Sequence, residues 1–87
     1  AIIQLTKYYA NYLAQRGIRV NCVSPGTFPS ETVQEKKGFI SKLENKVPLK
    51  RIGKPEDLSG TIVLLASDAS SYITGQNISV DGGWTIS

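Results

Sequence analysis

Arg19-Val20-Asn21-Cys22-Val23-Ser24-Pro25-Gly26-Thr27-Phe28-Pro29-Ser30-Glu31 decides how this chain is read. Ile18, Val20 and Cys22 fall on one face of an extended segment and Arg19, Asn21 and Val23 on the other, which predicts a strand over 18–23. The run stops at Ser24-Pro25-Gly26. Proline cannot donate to the next rung of a ladder, and glycine admits backbone conformations that other residues resist. Ligands of open parallel sheets bind beyond the carboxyl ends of the strands, so the loop from Thr27 to Ser30 is the first place to look for a site. Backbone N–H groups near Thr27 and Phe28, with the hydroxyls of Thr27 and Ser30, suit a carboxamide or a phosphate. On these residues alone a plain strand-ending turn is the simpler reading, because Pro-Gly is among the commonest turn pairs.

Residues 1–16 precede this strand and read as a helix. Ile2, Leu5, Tyr9, Tyr12 and Leu13 form one apolar stripe, and Ile3, Thr6, Ala10 and Ala14 form a second stripe of smaller residues. Two apolar faces predict a helix covered on both sides, one by a sheet and the other by a second partner. Gly17 suits the left-handed residue that follows a helix, and Arg16 suits its last turn. After the loop, a helix is expected from about Glu31 to Asn45, with Val33, Ile40, Leu43 and Val47 inward and Gly38 weakening it. The 27–48 region reads as a flap or, equally, as a plain surface helix. Pro55 opens a further helix over 55–67, with Glu56 and Asp57 in the first turn and Leu58, Ile62 and Leu65 as its stripe. A second strand is expected over 77–81, broken by Gly82-Gly83.

Helix, strand, helix, helix, strand is the order of a parallel α/β sheet. Two strands do not make a stable sheet in water, and a parallel sheet needs both faces covered. The rest of the sheet is therefore expected upstream, so that 1–87 is the C-terminal part of one Rossmann-type doubly wound domain. The opening Ala1-Ile2-Ile3 enters the helical rhythm without a capping residue, which suits a piece of a longer protein. Alone, 87 residues of this kind are expected to be of low stability or to aggregate.

Composition narrows the function classes. The chain has no histidine, which removes His-based triads, bases and metal sites, and no metal site is expected. One cysteine, Cys22, forms no internal disulfide, and a cytoplasmic setting is expected. No apolar run approaches the roughly 20 residues of a membrane span. Seven of the ten basic residues fall between Lys36 and Lys54, yet Phe39 is the only aromatic among them, so this reads as a solvated face and no nucleic-acid partner is expected.

Five blocks then occur in a familiar order and spacing. They are Gly17-Ile18-Arg19-Val20-Asn21 with Ser24-Pro25-Gly26; Pro48-Leu49-Lys50-Arg51-Ile52-Gly53-Lys54-Pro55-Glu56-Asp57; Leu64-Leu65-Ala66-Ser67-Asp68; Ser71-Tyr72-Ile73-Thr74-Gly75-Gln76; and Val80-Asp81-Gly82-Gly83. Together they resemble the C-terminal third of the short-chain dehydrogenase/reductase family. The resemblance implies an enzyme using NAD or NADP to move a hydride to or from a small-molecule carbonyl or alcohol, and a homo-oligomer, dimer or tetramer. It implies that Pro25 and Gly26 lie along the nicotinamide, with Thr27 beside them, that the Phe28 backbone pairs with the carboxamide, and that Ser30 stands where relatives carry a threonine touching carboxamide or phosphate. Phe28, Phe39 and Trp84 are implied as substrate-pocket candidates, while Asn21, Arg51, Asp81 and Gly82 match structural positions. The family's phosphate loop and its catalytic serine, tyrosine and lysine would lie before Ala1, so none of these residues is expected to be catalytic and the segment alone would be inactive. Tyr8, Tyr9 and Tyr12 are followed four residues later by Tyr12, Leu13 and Arg16, none of them a lysine. A non-catalytic relative that keeps the fold for subunit contacts is the alternative.

Overall fold

The structure is a computed structural model that describes residues 1–86. The regular elements are α1 (Ile2–Leu13), β1 (Cys22–Pro25), α2 (Glu31–Gln34), α3 (Lys37–Lys46), α4 (Pro55–Ala66) and β2 (Asn77–Val80). Short 3-10 turns follow α1 at Ala14–Arg16, precede β2 at Asp68–Ser70 and close the described chain at Trp84–Ile86. The strands pair with each other in one sheet. Cys22 N–H donates to the Gln76 carbonyl and Gly26 N–H to the Val80 carbonyl, both at 2.9 Å. The partners advance together along the two strands, which is parallel register. Helices α2, α3 and α4 make the crossover between them.

The first strand sits later than the sequence predicts: 22–25 rather than 18–23. Its ladder starts only at Cys22, because the backbone before it is bonded by a loop. Val20 N–H donates to Thr74 Oγ1 at 3.0 Å, and Gly75 N–H to the Val20 carbonyl at 2.8 Å. The strand also runs through Pro25. Donors toward β2 come from Cys22 and Gly26, and N–H groups alternate in direction along a strand, so residue 25 stands where an N–H would point away from β2. A proline there removes no rung.

The chain divides into two compact units: Ala1–Ser24 with Ser59–Ile78, and Pro25–Leu58 with the segment from Ser79 onward. In the first, a polar clamp fastens the loop after α4. Arg19 donates to Ser70 Oγ at 2.8 Å, to the Ser67 carbonyl at 3.2 Å and to the Ile73 carbonyl at 3.4 Å. Asn21 donates to the Ile73 carbonyl and accepts from Gln76 N–H, both at 3.0 Å. Ser70 is 1% exposed at the centre of this network. Arginine suits the place because carbonyls at a helix C-terminus lack intrahelical donors. On α1 the middle of the smaller stripe is covered: Thr6 and Ala10 are 6% and 4% exposed, whereas Ile3 and Ala14 at its ends are exposed, as are Ile2, Leu5, Tyr9 and Tyr12. Thr6 Oγ1 donates back to the Ile2 carbonyl at 2.8 Å, and a Cβ built on Gly75 would meet Ala10 Cβ at 3.4 Å, so the loop lies against this face. Small side chains permit that approach. On α4, Leu58 and Leu65 are half-buried, but Ile62 is exposed with Val63 and Leu64.

In the second unit the flap region holds two helices where one was predicted. Ser30 caps α2, its Oγ accepting from Val33 N–H at 3.4 Å. Lys36 then leaves the helical region (φ −85°, ψ 74°), and α3 begins afresh at Lys37. The β-branched Thr32 and Val33 and the glycine at 38 make one continuous helix costly there. Val47, at 2% exposure, is the most buried apolar side chain of this unit. Gly82 rests on it: φ is +63°, and an added Cβ would lie 2.6 Å from Val47 Cγ1. Leu49 N–H donates to the Gly82 carbonyl at 3.0 Å, tying the chain after α3 to the end of β2.

Two predictions follow from this packing. In the full-length protein carrying the segment, Gly82→Ala is expected to cost about 1–3 kcal/mol, through the left-handed backbone and the collision with Val47. Adding Val47→Ala is expected to cost less than the sum of the two single changes, read as thermal midpoints in a double-mutant cycle. The 87-residue chain alone, with Leu5, Tyr9, Tyr12, Ile62 and Val63 exposed, is expected to self-associate in sedimentation velocity. A monomer that melts cooperatively would contradict that.

Candidate cofactor site

The site is built where β1 and β2 end. Gly26 N–H reaches the Val80 carbonyl, and a Cβ on Gly26 would stand 2.6 Å from both Asp81 Cα and Asp81 Cβ. Any other residue would force the two strand ends apart. Asp81 is held on its far side: Oδ1 accepts from Gly83 N–H at 2.9 Å and Oδ2 from Thr85 N–H at 3.1 Å. Donation from the Gly83 amide is the first cause that keeps the Asp81 carboxyl below its ordinary range. The turn at Pro25-Gly26 is thereby fixed against a second fixed turn.

Beyond it, the Thr27 carbonyl accepts from Gly53 N–H at 2.9 Å. Among the described residues, no protein group accepts from Thr27 N–H or Phe28 N–H, and none donates to the Phe28 carbonyl. The Phe28 ring lies on Gly53, where a Cβ would run into its edge. Ser30 Oγ uses a lone pair on Val33 N–H and keeps its own proton to donate. A cleft of about 660 Å³ is lined by Phe28, Pro29, Ser30, Glu31 and Gln34 on one side and by Ile52 to Glu56 with Leu58 on the other. Pro25 is the last residue of β1, and Gly26, Thr27, Phe28 and Ser30 follow it along one loop, with Phe28 and Ser30 on one cleft. The structure does not bring Phe39 or Trp84 to that cleft: Phe39 lies exposed on α3, and Trp84 opens the final 3-10 turn.

Sequence reasoning passed over the turn that supports the loop. Asp57 Oδ2 accepts from Arg51 Nη1 and from Lys54 N–H, both at 2.8 Å, and Oδ1 accepts from Arg51 Nη2 at 3.0 Å. The sequence shows Asp57 only as a first-turn acid of α4. The signal that could have found its role is the spacing: an acid three residues after the residue before the helix accepts that residue's N–H, half of a capping box. The Arg51 hydrogen bond, then the Lys54 amide, hold the Asp57 carboxyl well below the usual carboxylate range, and Asp57 in turn raises Arg51. A carboxylate lowered by folding contributes stability above its ordinary pKa and loses it as pH falls through the lowered value. The pair thus stays charged through neutral and mildly acidic pH.

The loop's donor set fits the carboxamide end of a nicotinamide. A carboxamide offers one acceptor and two donors. The unpaired N–H and carbonyl of Phe28 and the spare Ser30 proton are complementary to these, and the Gly26 turn carries no side chain to bar a flat ring. Among the described residues, no cluster of metal-ligating side chains exists.

Known proteins resemble this chain along nearly its whole length. The family model described as enoyl-(acyl carrier protein) reductase matches residues 1–85. A tropinone reductase homolog of Arabidopsis thaliana is 46% identical over 99% of this chain and 34% of its own length. The 3-oxoacyl-[acyl-carrier-protein] reductase of Thermotoga maritima is 47% identical over 98% of this chain and 35% of its own. The solved structure of 4-hydroxyisoleucine dehydrogenase complexed with NADH superposes with a TM-score of 0.92, at 36% identity, over 99% of this chain and 37% of that one. Other solved structures of similar chains hold NAD+ or NADP. This chain thus spans about a third of the length of the relatives it matches, and its paired parallel strands with their crossover helices are part of a Rossmann-type α/β fold. From the match along residues 1–85, the chain belongs to the short-chain dehydrogenase/reductase family.

Proposed function

We propose that the protein carrying this segment is an NAD(P)-dependent oxidoreductase acting on a small-molecule carbonyl or alcohol, and that the segment orients the nicotinamide. The observation that carries this reading is the loop Thr27–Phe28: among the described residues its two N–H groups and the Phe28 carbonyl are left unpaired, between two turns that Gly26, Asp81 and Gly53 hold in place. Preorganised donors are effective because their ordering is paid before the ligand arrives. When bound, NAD or NADP supplies or accepts the hydride. Phe28 N–H donates to the carboxamide oxygen, and the Phe28 carbonyl accepts from the carboxamide nitrogen. Ser30 donates its hydroxyl proton to the carboxamide or to a phosphate oxygen.

Phe28 also borders the substrate side, with the α2–α3 region as the flap over it. No residue of this chain is assigned as acid or base in this reading, so the 87 residues alone are inactive. Tyr8 stacks at 6.3 Å from Tyr12 and edge-on at 5.2 Å from Tyr9, an exposed aromatic cluster far in sequence from the loop. The open stripe of Ile2, Leu5, Tyr9 and Tyr12 on α1 and the exposed Ile62 and Val63 on α4 support a role in subunit contacts within a dimer or tetramer. Cys22 is free, which suits the reducing cytoplasm. No helix among the described residues is long and apolar enough to cross a membrane.

The test is an equilibrium titration of the full-length protein with NADH and NADPH, followed by nucleotide fluorescence. Ser30→Ala is expected to weaken binding about threefold to tenfold, the loss of one hydrogen bond, and Ser30→Thr to restore it. Failure of both nucleotides to bind, or an unchanged affinity in Ser30→Ala, would overturn the reading.

A further inference from the structure

We propose that Arg51, Gly53 and Asp57 are positioning residues: the Arg51–Asp57 pair latches the turn before α4, and Gly53 on that turn sets the Phe28 backbone that receives the cofactor. The inference rests on the orientation role given above to Phe28 and names the group that enforces it.

The geometry forms a chain of contacts within one compact unit. The Asp57 carboxylate takes three donors, two from the Arg51 guanidinium and one from Lys54 N–H. The same guanidinium donates to the Ile52 carbonyl at 3.2 Å, and Asp57 N–H returns to the Lys54 carbonyl at 2.8 Å. Residues 51–57 are thus closed on themselves through a forked pair that lysine could not reproduce. Gly53 lies inside this closed turn and makes two contacts with the cofactor loop. Its N–H donates to the Thr27 carbonyl at 2.9 Å, and its Cα supports the Phe28 ring with no room for a Cβ. Thr27 and Phe28 are therefore gripped by the carbonyl of one and the ring of the other, leaving the Phe28 N–H and carbonyl without a partner among the described residues.

Stability alone is a poor reason for this arrangement. The side chains of Arg51 and Asp57 are 49% and 29% exposed, and exposed ion pairs contribute little to folding. A pair that adds little to the fold but fixes a turn touching the cofactor loop acts on binding. Pro55 reinforces the same turn from the helix side by fixing its own φ at the first helical position.

The test uses the full-length protein with NADH and NADPH as probes. Asp57→Asn breaks the fork at nearly constant size; Gly53→Ala leaves the fork and displaces Phe28; Arg51→Lys keeps the charge and loses the fork. Each is expected to raise the nucleotide dissociation constant and KM about fivefold to tenfold, the loss of one or two well-placed hydrogen bonds, with kcat at saturating nucleotide within about twofold of the parent. The double variant Asp57→Asn/Gly53→Ala is expected to be no weaker than the poorer single, because both act through Phe28. In the nucleotide-free protein, hydrogen exchange of the peptide over 50–54 is expected to quicken in Asp57→Asn as the Gly53-to-Thr27 bond opens. If the parent binds nucleotide and the variants bind as it does, or if they lose kcat with KM unchanged, the latch is refuted while the orientation role of the loop stands. If the parent binds neither nucleotide, the orientation role fails and the latch falls with it.

Discussion

Gly26 meets Asp81 at a distance that no side chain could share. Its N–H is spent on Val80, and the space for a Cβ is filled by the Asp81 backbone. Here the exit of β1 passes so close to Asp81 that only a residue without a side chain fits. The turn that results is rigid because Asp81 is bound on its other side by two amides, and because Gly82 lies on the buried Val47. What the chain does next is a consequence. The chain leaves the ladder with the Thr27 carbonyl bonded to Gly53, while among the described residues the N–H and carbonyl of Phe28 stay unspent, and such groups are stabilised by water or a ligand.

The two units reach order by different means. Around Arg19 and Asn21 the fastening is polar, with a guanidinium and an amide shared among carbonyls and a hydroxyl. No carboxylate takes part in those bonds, so the charge is spread over dipoles at a helix end. Around Val47 the fastening is steric, by glycines placed where the chain passes close to itself: Gly53 on Phe28, Gly82 on Val47, Gly83 on Pro48. Close approach leaves few alternative positions for the loop, which suits the orienting role proposed for it.

Much of the fold could be read beforehand because its signals are local. Pro55 with Glu56 and Asp57 marked the start of α4 within a residue, and Asn77-Ile78-Ser79-Val80 marked β2. The position of the candidate loop could be read for the same reason, since Pro-Gly marks a strand end, but these residues alone do not tell a binding loop from a plain turn. The flap was less legible: apolar spacing over 31–45 suits one helix, and the break at Lys36 follows from backbone preferences too small to show in a pattern.

The sequence by itself determined that helices join two strands behind a leading helix, the placement of glycine at the strand end and the lack of histidine among these 87 residues, because each depends on residue type or on neighbours a few positions away. Tertiary structure alone decided which face of α1 is covered, how far β1 runs through its proline, and that Gly53 lies against the Phe28 ring on the turn where Arg51 pairs with Asp57. Those depend on contacts between residues more than twenty positions apart, such as Gly53 with Thr27 and Gly75 with Ala10. Which side chain fills a given space depends on how the chain folds back, and apolar periodicity carries no record of that.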